Sequence, residues 1–189
     1  MKTIETERLI LRPWQAKDLD DLFDYKSDRR VTMSSSEYPH ETKAQTKKLL
    51  DMMLNREGWF SKGECRAIVL KNENKVVGGI SAGDLKLDES LGKKREIGFE
   101  INPKYWRMGI ATEASNALIK HEFDEVDVDK VYMSHFSFNK KSSDLIKKLG
   151  FLYELSRSGK WRAFKNTNVQ HMYYGLTREY WNKQKNNAK

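Results

Sequence analysis

Hydrophobic and polar residues alternate over residues 96–101, with an apolar side chain at every second position from Ile97 onward. This two-residue period predicts a β-strand that carries Glu96 and Glu100 on its opposite face. Over residues 111–121 the small and apolar residues recur every three to four positions, which predicts a helix. The sequence between the two elements therefore forms a short turn that leads from a strand into a helix.

The turn contains Gly109, and small residues follow it where the helix begins. A helix start leaves its first N–H groups unpaired, and together with the helix dipole they form a site suited to phosphate. Arg107 is either a further contact to the phosphate or a solvated surface arginine, and the sequence leaves both open. The main-chain N–H groups that could contact a phosphate belong to Met108, Gly109, Ile110, Ala111 and Thr112.

A second block begins at Asn139, has Ser142 three positions later and continues as an amphipathic stretch up to Gly150. Asparagine is a favoured first residue of a helix and glycine a favoured stop, so the block predicts a short helix before another strand. Asn139 and Ser142 are therefore either helix-capping residues or parts of a site, and both interpretations stay open.

The same patterns predict the remaining elements of the chain. Strands are expected at residues 8–12, 65–70, 76–81, 130–136, 151–157 and 169–176, and helices at residues 16–25 and, from a capping box, 42–56. This interleaved order is typical of an α+β or mixed α/β fold. Residues 1–182 are expected to form one domain, and residues 183–189 a basic, disordered tail.

Three motifs taken together resemble the GNAT superfamily of N-acetyltransferases. They are the turn at residues 105–112, the block at residues 139–151 and the opening sequence TERLILRPW at residues 6–14. The opening sequence looks most like the branch that contains the ribosomal-protein alanine N-acetyltransferases. Most of the superfamily has Arg or Gln three residues before the turn glycine, whereas this chain has Trp106, as expected for that branch.

The resemblance implies a GNAT fold, in which a mostly antiparallel, twisted sheet is flanked by helices and its middle strands splay apart. It also implies that acetyl-CoA is the co-substrate, with its pyrophosphate at the turn around Gly109 and its pantetheine arm between the splayed strands. By this analogy the cofactor also contacts Phe99, Glu100, Ile101, Arg107 and Asn139.

Acetyl transfer to an amine needs a base, because amines are mostly protonated at neutral pH. Glu96 is the candidate, since it starts the strand that leads to the turn and other GNAT enzymes resemble this chain in having a carboxylate there. Glu100 shares the same face and is the next candidate. Either carboxylate could instead be paired with a neighbouring Lys or Arg.

The departing CoA thiolate needs a proton or a hydrogen bond. Many GNAT enzymes use a tyrosine at the position that is Ile146 here, so that route is absent from this sequence. Ser142 is the candidate that the ribosomal branch suggests, and Asn139 could bind the pantetheine amide. A covalent route through Cys65 lacks a base that the sequence places beside it, so direct transfer is expected.

Composition limits the function without naming it. The chain has 189 residues and a formal net charge of +8, which fits attraction to RNA, ribosomes or acidic substrates. A single cysteine excludes an intramolecular disulfide, and the scattered histidines lack ligand spacing, so no metal is expected. The sequence shows no apolar leader and no run of membrane-spanning length, which predicts a soluble cytoplasmic protein without a membrane partner.

The leading hypothesis is an acetyl-CoA-dependent N-acetyltransferase whose acceptor is a primary amine, with the N-terminal amine of a ribosomal protein as one candidate. One alternative is a small-molecule acetyltransferase for an amino acid, a polyamine or an antibiotic. Another is a non-catalytic module that binds CoA or the ribosome. Family analogy places the acceptor near residues 27–38 and 157–165 and allows a homodimer, but no motif there names the acceptor.

Overall fold

The computed structural model describes residues 1–35, 37–85, 87, 92–162 and 167–187. Parts of residues 86–94, where the sequence patterns predict no helix or strand before Glu96, and of the predicted acceptor segments lie outside the described residues, as do the last two residues of the predicted tail. The strands are β1 (Ile4–Glu5), β2 (Leu9–Pro13), β3 (Gly63–Leu70), β4 (Lys75–Asp84), β5 (Lys94–Ile101), β6 (Lys130–Phe136), β7 (Leu152–Trp161) and β8 (Thr167–Thr177).

These strands form one 8-stranded sheet in the order β1-β2-β3-β4-β5-β6-β8-β7. Neighbouring strands run antiparallel except β5 and β6, which are parallel. The helices are α1 (Leu19–Lys26), α2 (Arg29–Ser35), α3 (Lys43–Leu54), α4 (Ile110–Asp124), α5 (Lys140–Lys148) and α6 (Arg178–Asn187).

The sheet lies between two helical layers. Within β3, Ala67 and Val69 belong to a core cluster with residues of α1 and α3, whereas Ile68 and Leu70 belong to a second cluster with residues of α4 and α5. Because alternate residues of a strand point to opposite faces, the two clusters lie on opposite sides of the sheet. The mixed α/β class with helices flanking the sheet is therefore confirmed.

The middle of the sheet opens between β5 and β6. These two strands pair only where residues 94–96 lie beside residues 130–132. Beyond this point β5 stays paired with β4 up to Ile101, and β6 stays paired with β8 up to Phe136. The predicted splay is confirmed, and Glu96 occupies the last paired position at its base.

Local signals placed the capping box and most strands correctly, with ends shifted by a few residues. In the capping box, the N–H of Gln45 donates to Thr42 Oγ1 at 3.4 Å, while Gln45 Oε1 accepts from the N–H of Thr42 at 3.2 Å. The sequence patterns do not predict α2, because its seven residues are too few to show a helical period. Its start is stabilised by Asp28 Oδ1, which accepts from the N–H of Arg30 at 2.8 Å.

Residues 183–187, which the sequence patterns place in a disordered tail, continue α6 in the structure. Lys183 donates to Glu179 Oε1 at 2.6 Å, one helical turn back, and Gln184 Nε2 donates to the carbonyl of Gly150 at 3.3 Å. The second contact is long-range, so charge pattern alone could not reveal it. Within the described part of the chain, no helix is both long and apolar enough to cross a membrane.

Candidate active site

Two cavities occupy the opening between β5 and β6. The larger, about 760 Å³, reaches the turn before α4, and the smaller, about 400 Å³, reaches α1 and α3. The residues that line both cavities are Ser34, Phe99, Glu100, Asn139 and Ser142. Because they share these walls, the two cavities form one cleft through the splayed sheet.

The turn before α4 contains two residues with positive φ, a backbone conformation that residues other than glycine rarely adopt. Arg107 has φ +64° and Gly109, the residue that caps α4, has φ +78°. The first hydrogen bond within this helix runs from the N–H of Glu113 to the carbonyl of Gly109 at 3.0 Å. The N–H groups before Glu113 are therefore left for another acceptor, and the residues that carry them line the larger cavity.

All but one of the residues that the sequence predicts to bind the cofactor line the larger cavity, namely Phe99, Glu100, Ile101, Arg107, Gly109, Ile110, Ala111, Thr112 and Asn139. Met108 is the exception among them. Its side chain is 49% exposed, and its carbonyl accepts from Arg8 Nη1 at 2.9 Å. The structure thus brings one end of α4, the open edge of β5 and the start of α5 to one cavity.

The larger cavity is rich in positive charge. Its cationic lining residues are Arg30, Arg107, Lys140, Lys141 and Lys148, against the carboxylates of Glu100 and Asp144. Trp106 lies among them, and Lys141 Nζ is 3.9 Å from the centre of the Trp106 ring. Trp106 Nε1 donates to the carbonyl of Ile101 at 2.8 Å. An excess of cations and free N–H groups suits a polyphosphate.

Glu96 accepts a hydrogen bond at its Oε1 from the Ser134 hydroxyl on β6. Burial raises the pKa of Glu96 above its ordinary value, and the hydrogen bond from Ser134 only partly opposes this effect. Ser134 also lines the smaller cavity, so the Glu96 carboxylate connects to that cavity through this hydroxyl. Ser134 was not identified from the sequence. The available signal was a small polar residue within the otherwise mostly apolar centre of β6.

Glu100 forms an ion pair with Lys26 Nζ at 2.7 Å. The sequence allowed two interpretations of Glu100, a base or a carboxylate paired with a Lys or Arg, and this contact agrees with the second. Lys26 also pairs with Glu37 at 2.7 Å, and its side chain is 7% exposed. Burial acts to lower the pKa of Lys26, but the two carboxylates outweigh it and raise that pKa above its ordinary value. Lys26 therefore stays charged and holds Glu100 in the cleft wall. No sequence pattern indicates this role for the last residue of α1.

Asn139 caps α5, since its Oδ1 accepts from the N–H of Ser142 at 3.2 Å. Both side chains also belong to the wall shared by the two cavities, so capping does not remove them from the site. Ile146 is buried in the wall of the smaller cavity, where many GNAT enzymes are expected to present a tyrosine hydroxyl.

The remaining candidate groups are partnered or protonated. His135 is 7% exposed, with Nδ1 2.8 Å from the carbonyl of Phe136 and Nε2 3.4 Å from the Tyr174 hydroxyl. Cys65 lines the smaller cavity with its Sγ 3.6 Å from Met53 Sδ, and burial raises the pKa of its thiol to about 11. The described residues contain no group of three or more His, Cys, Asp and Glu side chains that could hold a metal ion.

Cys65→Ala is expected to change kcat by no more than about threefold, because a protonated buried thiol acts as a small apolar side chain. Initial-rate plots for the wild type should intersect, as direct transfer in a ternary complex requires. Mass spectrometry of the enzyme after acetyl-CoA alone provides the check. An acetylated Cys65 combined with parallel plots would replace direct transfer with a covalent route.

The splayed sheet with a cation-rich cavity at a helix start is the arrangement of a protein that binds a phosphate-bearing ligand, and comparison with known proteins gives the family. A model described as an acetyltransferase (GNAT) domain matches residues 8–152, and the chain belongs to this family of N-acetyltransferases, which use acetyl-CoA. The uncharacterized N-acetyltransferase p20 of Bacillus licheniformis is 30% identical over 156 residues, covering 82% of this chain and 84% of that protein.

Two further comparisons bear on fold and acceptor. YdaF of Bacillus subtilis, whose name proposes a ribosomal N-acetyltransferase, is 31% identical over 100 residues, covering 51% of this chain and 52% of that protein. The crystal structure of a GNAT-family acetyltransferase from Bacillus anthracis is 25% identical, with a TM-score of 0.78 over 94% of this chain and 99% of that one. The same architecture therefore extends over nearly the whole chain.

Proposed function

We propose that this enzyme transfers acetyl from acetyl-CoA directly to a primary amine, with the N-terminal amine of a ribosomal protein as its acceptor. The observation that carries the proposal is the single cleft with two different ends. One end has cations and free N–H groups around Gly109. The other end has the carboxylates of Glu37 and Glu100, which both pair with Lys26, and from it Glu96 is reached through Ser134.

The cation-rich end fits the cofactor. The N–H groups before Glu113 would bind the pyrophosphate, and Gly109 provides the positive φ with which the chain enters the helix. Beyond Glu96, β5 is not paired with β6, so the N–H and C=O groups on this edge are available to the amide groups of pantetheine, except for the carbonyl of Ile101, which accepts from Trp106. Asn139 lies where this arm would pass from one cavity to the other.

The carboxylate end fits the acceptor amine. Glu96 would take the ammonium proton, through Ser134 or a water molecule, and leave a neutral nitrogen to attack the acetyl carbonyl carbon. As the new C–N bond forms and the C–S bond breaks, the nitrogen would give up its second proton to the departing sulfur to leave CoA as a thiol, and the Ser142 hydroxyl would donate a hydrogen bond to that sulfur. The raised pKa of Glu96 makes it a stronger base than an ordinary glutamate.

Three observations support a ribosomal acceptor. The opening motif resembles the ribosomal-protein branch, the chain carries a net charge of +8, and the relative YdaF has a name that refers to the ribosome. A basic surface favours association with RNA-rich particles. A ribosomal acceptor also implies that the enzyme acts in the cytoplasm.

Turnover with an amine panel tests the proposal. Acetyl-CoA is incubated with peptides that have a free α-amine, with the same peptides blocked at that amine, and with spermidine and single amino acids. CoA release and product mass are then measured. Free α-amine peptides should be acetylated at the N-terminus. A preference for spermidine or amino acids would favour the small-molecule alternative, and CoA binding without any turnover would favour a binding module.

Ser142→Ala is expected to lower kcat about tenfold, because the departing sulfur loses a hydrogen-bond donor. The substitution keeps the backbone N–H that Asn139 caps, so α5 should remain intact. Steady-state kinetics on an acceptor from the panel, together with thermal unfolding, checks both points. An unchanged kcat would limit Ser142 to its structural place in the helix.

A further inference from the structure

The turn between β1 and β2 contacts the turn that precedes α4. Glu113, in the first turn of α4, accepts three hydrogen bonds from it. They come from the Thr6 hydroxyl at 2.6 Å, the N–H of Arg8 at 2.9 Å and Arg8 Nε at 2.7 Å. The other side of the same guanidinium donates from Nη1 to the carbonyl of Met108 at 2.9 Å. Arg8 thus joins the helix start to the loop before it.

The hydrogen bond from Arg8 to the carbonyl of Met108 also fixes the orientation of the peptide group between Met108 and Gly109. The peptide group is planar, and in its trans form the C=O and the N–H point in opposite directions. The carbonyl of Met108 shares its peptide with the N–H of Gly109. Holding that carbonyl toward Arg8 therefore directs the N–H of Gly109 the other way. Glycine imposes little resistance to rotation of this peptide, so an external anchor is needed to keep one orientation.

The contact with Glu113 has an electrostatic consequence. A carboxylate in the first turn of α4 would repel a polyphosphate bound at the same helix end. Arg8 supplies a compensating positive charge at 2.7 Å from Glu113 Oε2. Burial acts to raise the pKa of Glu113, but hydrogen bonds from Thr6 and Arg8 outweigh it and hold that pKa below its ordinary value. The carboxylate is therefore charged and directed toward Arg8.

We propose that Arg8 is a positioning residue for the pyrophosphate of the acyl donor. It holds the carbonyl of Met108 so that the N–H of Gly109 is presented to the larger cavity, and it neutralises Glu113 beside that cavity. This inference rests on the proposed cofactor site and adds to it a residue outside the predicted set. Arg8 belongs to the opening motif, whose physical role the sequence left unassigned.

The test compares Arg8→Gln with Arg12→Gln. Arg12 lies on β2, the strand that follows Arg8, and pairs with Asp18 at 2.7 Å, with only 16% and 3% of the two side chains exposed. The Arg8 and Glu113 side chains are 44% and 19% exposed. Because exposed pairs add little stability, Arg8→Gln should shift the unfolding midpoint by no more than about 3 °C, and Arg12→Gln by more.

Calorimetry with CoA measures the role of Arg8 directly and needs no acceptor. Arg8→Gln should bind CoA about tenfold to a hundredfold more weakly, the range for a lost hydrogen bond to a charged group, while Arg12→Gln binds as the wild type does. Affinity for pantetheine, which lacks the pyrophosphate, is measured by competition with CoA. It should be the same in Arg8→Gln and the wild type, a selectivity that general loosening of the fold would not produce.

Unchanged CoA affinity in Arg8→Gln would overturn the proposed role of Arg8 but leave the cofactor site in place. An equal loss of affinity for CoA and for pantetheine would have the same consequence. A wild-type protein that fails to bind CoA would overturn the proposed cofactor site, and the role of Arg8 with it. The two failures are distinguished by the wild-type titration.

Discussion

Replacing Glu96 with glutamine is expected to lower kcat by about a hundredfold or more, with CoA affinity unchanged. Glutamine keeps the shape and a hydrogen-bond acceptor for Ser134, but it cannot take a proton from the acceptor ammonium. CoA affinity should not change, because Glu96 lies at the base of the splay, away from the turn at Gly109. Single-turnover and steady-state kinetics on an acceptor from the amine panel give kcat, and calorimetry gives the affinity.

The pH profile provides a second measure of the same role. A base works only when deprotonated, and burial raises the pKa of Glu96 above its ordinary value. Activity of the wild type should therefore rise with pH through a pKa higher than that of an exposed glutamate, about 4.3. This acidic limb should disappear in Glu96→Gln, whose residual rate should increase at high pH as more of the acceptor amine becomes neutral.

Glu100→Gln is the matched control on the same strand and face. Its carboxylate is paired with Lys26, so its removal should affect stability more than the chemical step. If Glu96→Gln keeps the wild-type kcat at neutral pH while Glu100→Gln loses it, the base is Glu100. If both retain it, a bound water molecule would have to accept the proton.

The sequence was sufficient where structure is decided locally. Alternation over residues 96–101 gave β5 and the shared face of Glu96 and Glu100, and the strand, turn and helix pattern gave the turn at Gly109 that leads into α4. The Thr42 capping box and the Asn139 cap likewise depend on contacts only three residues apart. Such signals survive in any fold that contains the segment.

The sequence was insufficient where a side chain meets a partner far along the chain. Ser134 on β6 reaches Glu96 on the neighbouring strand β5, 38 positions away in the sequence, and Lys26 reaches Glu100 from a helical layer. Arg8 contacts Met108 from the far end of the sequence. Their partners are set by sheet order and splay, which no periodicity encodes. The identity of the acceptor also could not be predicted from the sequence, because the cavity that would hold it is lined by residues from several elements that lie far apart in the chain.

Gly109→Val is expected to weaken CoA binding about a hundredfold, roughly 2.7 kcal/mol. Gly109 has φ +78°, where a β-branched residue is strained, and relief of that strain would move the N–H groups of the turn. A Cβ at Gly109 would also lie 3.2 Å from Arg8 Nη2, so the guanidinium that holds Met108 would have to shift. Both effects act on the proposed pyrophosphate contacts.

Gly58→Val is the control for backbone strain. Gly58 has φ +56°, and a Cβ there would meet only Met52 Cε at 3.6 Å, an ordinary contact. The two variants should lose comparable stability, but Gly58→Val should bind CoA as the wild type does, because Gly58 is not part of the larger cavity's lining. Circular dichroism and thermal unfolding establish that each variant is folded, and calorimetry compares their affinities. Wild-type CoA affinity in a folded Gly109→Val protein would move the pyrophosphate away from this turn.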